Sequence, residues 1–138
     1  MGRYDGYAWV YSPKAQKITE ELKKEIKLKS DEIIMMLKKE HLKKLPKKLA
    51  YNHLIDIYSK WIKRRFYLCS KYICPTDSLF PWFENKFARL EYTGKGINEK
   101  DQFQLFFMRH TGKWIKILED KTLNECFKAI KTQPYFIP

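Results

Sequence analysis

The sequence predicts an α+β fold: an N-terminal helical hairpin packed with a three-stranded antiparallel meander and a C-terminal helix. Three observations carry that expectation. Apolar residues recur at near-helical spacing through residues 13–74. From Phe87 to Leu118 the pattern changes to strand-like alternation broken by polar loops. A Thr-x-x-Glu box at Thr122-Leu123-Asn124-Glu125 then opens a short amphipathic run. The expected layout is an aromatic segment at 1–12 and one domain over 13–138. That domain divides into a basic helical part (13–74) and the meander with its helix (75–138).

Tyr4, Tyr7, Trp9 and Tyr11 fall mostly at odd positions, which predicts an extended segment laid on the domain as an edge strand. Ser12-Pro13 reads as a helix start, a polar cap followed by proline at the first helical position. Ile18, Leu22, Ile26, Ile33, Leu37 and His41 then share one helical face. Ser30-Asp31-Glu32 is a second possible cap, so residues 13–45 are one helix or two. Pro46 ends the helical run because it lacks an N–H and clashes with the preceding turn.

A further helix is expected from about Pro46 or Asn52 to Tyr72. Leu54, Ile57, Trp61, Leu68 and Tyr72 form one stripe, and Ile55, Tyr58, Ile62, Phe66, Cys69 and Ile73 a second. Cys74-Pro75 stops it. The apolar loop Leu79-Phe80-Pro81-Trp82-Phe83 is expected to fold over the core. The strands of the meander are expected around Phe87–Tyr92, Phe103–Met108 and Trp114–Leu118, with a Gly112 turn between the last two. In the last helix Leu123, Cys126, Phe127 and Ile130 face the sheet, and Tyr135-Phe136-Ile137 tucks back onto the body.

Composition narrows the function classes. The chain has 138 residues and is 16% aromatic, which excludes a disordered polymer. No apolar run reaches the ~20 residues of a membrane-spanning helix. The start is too polar for a signal peptide, so a cytoplasmic protein with no membrane partner is expected. Three cysteines, Cys69, Cys74 and Cys126, do not make a disulfide framework, and no second ligand pair completes a zinc site. Cys69 and Cys126 read as small core residues. No cofactor is expected.

The net charge is +12. Residues 1–75 hold 18 Lys/Arg and 8 Asp/Glu, a net +10, against +2 for residues 76–138. Such asymmetry points to a polyanionic partner. Most of the cations are lysine, which suits phosphate and not the bidentate reading of guanine. A lysine-rich genome would also inflate this number. One basic run is Lys38, Lys39, Lys43, Lys44, Lys47 and Lys48, which the end of a helix dipole would favour. A second is Lys60, Lys63, Arg64 and Arg65. Arg109, His110 and Lys113 surround the expected turn of the last hairpin.

The first functional expectation is therefore a non-enzymatic basic domain that binds nucleic-acid backbone without strong sequence preference, with Trp82 or Trp114 stacking on bases. The alternative is an interaction module that docks an acidic protein. A second alternative is a metal-dependent nuclease. Asp77 followed by Glu84-Asn85-Lys86 has the residue types for it, but the six-residue gap and Pro81-Trp82 do not fit that motif's setting. His110 beside two cations is a candidate base without a visible partner. His53 reads as a core-edge residue and His41 as part of the basic corner.

The stretches Lys86-Phe87-Ala88-Arg89-Leu90-Glu91-Tyr92, Phe107-Met108-Arg109-His110-Thr111-Gly112-Lys113-Trp114 and Leu123-Asn124-Glu125-Cys126 resemble small bacterial proteins of unknown function. The resemblance covers the C-terminal half. It implies a bacterial source and carries no activity.

Overall fold

The computed structural model describes residues 17–138 and the backbone of two short strands near the N-terminus. Those strands, β1 (Arg3–Tyr4) and β2 (Trp9–Val10), pair antiparallel with each other. The aromatic segment is thus extended where described, but its strands form their own ladder and are not an edge of the main sheet. Tyr7, Tyr11 and Ser12-Pro13 lie outside the described residues.

Helix α1 spans Glu20–His41 without interruption. Thr19 caps it, its Oγ1 accepting from the Leu22 amide at 3.1 Å. Ser30 does not restart the helix. It is fully buried, and its hydroxyl donates to the Lys27 carbonyl at 2.7 Å, so it continues the helix from within. Ile26, Ile33, Ile34 and Leu37 form the buried stripe.

The expected second helix is not there. Residues 53–73 form a β-hairpin, β3 (His53–Ile62) and β4 (Arg65–Ile73), paired from Ile62↔Arg65 back to His53↔Ile73. The helical hairpin is corrected accordingly to one helix and two strands. The physical reason lies in residue type and in the turn. Ile55, Ile57, Tyr58, Trp61 and Ile62 are β-branched or aromatic, residues that fit a pleated surface better than a helix. The reversal falls on Lys63-Arg64, where Lys63 takes a left-handed φ of 55° without glycine or asparagine to announce it.

The expected three-stranded meander is corrected to the C-terminal part of a larger sheet, with longer strands: β5 (Trp82–Lys95), β6 (Asp101–Met108) and β7 (Trp114–Lys121). It continues the hairpin, so the sheet has five antiparallel strands in the order β3-β4-β5-β6-β7. Register shifts fall between Phe103 and Leu105 and between Leu105 and Phe106, where β6 meets β7. Helix α2 (Leu123–Thr132) starts at Thr122 with the full reciprocal capping box to Glu125.

Both helices cover the same face of the sheet. Ile57, Phe66, Leu68, Ala88, Leu90, Phe103 and Leu105 pack there against the buried stripes of α1 and α2. Cys69 and Cys126 are fully buried, as expected, and burial pushes the Cys126 thiol up to about 12. Phe136 is buried and Tyr135 stacks on Phe107 at 4.8 Å, so the C-terminal segment does tuck back. The loop before β5 does not. Leu79 is 89% exposed and Phe80 67% exposed, because the two helices already close the core. Among the described residues no helix is long and apolar enough to cross a membrane.

Candidate functional site

Strand alternation dictates the second face of the sheet. With Phe66 and Leu68 turned to the helices, Arg65, Tyr67, Cys69 and Lys71 turn the other way. Their register partners on β5 are Glu91, Arg89, Lys86 and Glu84. Tyr58 and Lys60 join them from β3, Phe106 from β6, and Trp114 and Lys116 from β7. Among the described residues, no helix lies over this face. The open face is therefore a field of cations and rings.

Its acids are shared. Glu84 accepts from Lys60 Nζ at 2.7 Å, from Lys86 Nζ at 3.2 Å, and from the Tyr58 hydroxyl. Partial burial raises the Glu84 carboxyl, but the hydrogen bonds from Lys60, Tyr58 and Lys86 outweigh it and hold the group down at about 2. Beneath this cluster, burial above all raises the Cys69 thiol to about 11, so it is an inert core thiol. Glu91 also lies between two cations: Arg65 Nε lies 2.6 Å from its Oε1, and Arg89 Nε, without a hydrogen-bond partner among the described residues, 3.6 Å. Each carboxylate thus faces two cations and neutralises one. Lys116 meets Glu119 at 3.2 Å.

Rings hold cations as well. Lys71 Nζ sits 4.4 Å from the centre of Trp82, and Lys86 Nζ 5.7 Å from that of Tyr67. The Arg89 guanidinium lies 4.1 Å from Phe106 and 5.0 Å from Trp114. A ring partner attracts a cation without cancelling its charge. Tyr67 and Trp114 approach to 5.8 Å, although β4 and β7 are three strand spacings apart, about 14 Å on a flat sheet. The two side chains lean together over Arg89, whose side chain is 11% exposed.

The two expected basic runs do not merge. Lys38 and Lys39 end α1, and Lys38 is tied to Asp56 at 3.2 Å. Lys43, Lys44, Lys47 and Lys48 are exposed in the connection before β3. Lys63 and Arg64 form the turn at the far end of β3, a ten-residue strand, so about 30 Å of strand separates the two runs. Arg109, His110 and Lys113 are exposed in the β6–β7 turn, at the same end of the sheet as the 43–48 run. Arg109 and His110 also line a cleft of about 340 Å³ with Asn85, Phe87 and Tyr135.

Of the expected contact residues, Lys60 and Arg65 stand on the open face, on two different strands. Lys71, Lys86, Arg89 and Lys116 were missed. The alternation in Arg89-Leu90-Glu91 and in Tyr67-Leu68-Cys69-Ser70-Lys71 was the signal that could have found them. The nuclease pattern does not assemble. Asp77 is exposed in the β4–β5 connection, and the Glu84 oxygens are engaged by two lysines and a tyrosine. Among the described residues, no group of three or more His, Cys, Asp or Glu side chains is placed to hold a metal ion.

A family model described as a domain of unknown function (DUF3024) matches residues 15–138. No curated protein and no solved structure matches the chain.

Proposed function

The chain belongs to the DUF3024 family, and we propose that it binds the backbone of nucleic acid, without strong sequence preference, on the open face of its sheet. The observation that carries this reading is the two-to-one sharing of Glu84 and Glu91. Each cluster keeps a net positive charge, and Lys71, in register between Asp56 and Glu84, adds a cation held against the Trp82 ring. A strand of phosphates would meet that field across β3, β4 and β5. Lysine contacts phosphate oxygens from many directions, which gives affinity with little reading of sequence.

The experiment is anisotropy of a labelled oligonucleotide against the full chain across a salt series. Affinity is expected to fall linearly on a log–log plot between about 50 and 200 mM salt, by the same slope for unrelated sequences. Replacing Lys71 and Lys116 together with glutamine is expected to reduce that slope by roughly 1–2. A salt-independent signal, or no binding at low salt, rejects the proposal and leaves the acidic-protein reading.

A further inference from the structure

We infer that the nucleic acid taken by this face is single-stranded, with bases resting on Trp82 and Trp114 while the phosphates meet the neighbouring cations; this rests on the backbone-binding reading above. The shape of the surface argues first. The major groove of a duplex is about 12 Å wide and admits a helix or a two-stranded ribbon. Five strands side by side span about 19 Å. A face of that breadth lies against a strand and does not enter a groove.

The rings argue second. Trp82 is half exposed, at the first position of β5, with Lys71 against its ring. Trp114 is partly exposed at the first position of β7, and Tyr67 and Arg89 hold its orientation. Both indoles are therefore fixed by protein contacts before any ligand arrives. Rings set in a field where cations outnumber carboxylates are what unpaired bases need: the π-face takes the base and the exposed lysines take the adjoining phosphate. In a duplex the base faces are already stacked and cannot use the rings.

Three labelled probes of equal length, about 12 nucleotides, test this with the full chain: an oligothymidine, an abasic deoxyribose-phosphate strand, and a blunt duplex. The oligothymidine is expected to bind about tenfold tighter than either other probe and to quench tryptophan fluorescence. Trp82→Ala and Trp114→Ala should each weaken the oligothymidine by about 5–100-fold and leave the abasic strand unchanged. Trp82 begins a strand and is half exposed, so its variant keeps the fold and serves as the decisive one. Equal binding of all three probes overturns the single-strand inference while the backbone reading stands. Failure of every probe at low salt overturns both.

Discussion

The two faces of the five-stranded sheet are written by the same residues in alternation, yet they are held by different forces. On the covered face, Phe66, Leu68, Leu90 and Leu105 are packed between strands and helices, and water is excluded. On the open face, one residue along, Arg65, Tyr67, Arg89 and Glu91 hold one another by shared charge and ring contacts. The first face secures the fold, because removing apolar surface from water is the dominant favourable contribution. The second contributes less to stability and keeps a positive field. One alternating sequence therefore separates the task of folding from the task of presenting charge.

That contrast can be broken most severely on the covered face. Leu105→Ala leaves a cavity in the core beneath α2 and is expected to destabilise the chain by about 2–5 kcal/mol, read from urea denaturation. Oligonucleotide affinity of the fraction that remains folded should be unchanged.

The open face should behave the other way. Glu84→Gln removes the carboxylate that Lys60 and Lys86 share, and is expected to cost about 1–2 kcal/mol while tightening binding of a polyanion. Its pH dependence has a definite sign. The folded carboxyl is held at about 2, below its ordinary value of 4.5. Its contribution is therefore complete above pH 4.5, declines below that, and is lost as the pH falls through about 2. Denaturation of both proteins at a series of pH values should show their stability difference closing over that window. A constant difference would show that Glu84 is not ionised in the way described.

The smallest effect lies outside both faces. Thr122→Ala removes the cap of α2 and is expected to cost about 1 kcal/mol in thermal or urea unfolding, with no change in binding.

The legible parts of the sequence were those with a local signature. Thr122-Leu123-Asn124-Glu125 announces α2 by itself, and Gly112 marks the turn between β6 and β7. The β3–β4 hairpin has neither signature. Its turn is Lys63-Arg64, and a register shift between Leu54 and Asp56 spoils the two-residue period near its start. Against that broken alternation, the spacing of Leu54, Ile57, Trp61 and Leu68 imitates a helix. The run Lys60, Lys63, Arg64 and Arg65 divides accordingly, with Lys60 and Arg65 on two strands and Lys63 and Arg64 in the turn between them. Trp82 and Trp114 were named as stacking residues from composition alone. The cations beside them depend on β5 lying between β4 and β6, a long-range fact that no local pattern records.

The register shifts of β6 against β7 bear on how the sheet ends. A sheet edge is a template for another strand only where its amides and carbonyls run in straight succession. Two interruptions beside Leu105, and Asp120 at a φ of 54°, break that succession on the last strand. Lys116, Glu119, Asp120 and Lys121 add charge along it. A sixth strand from another copy would find no regular ladder, so this edge is protected from polymerisation by strand addition.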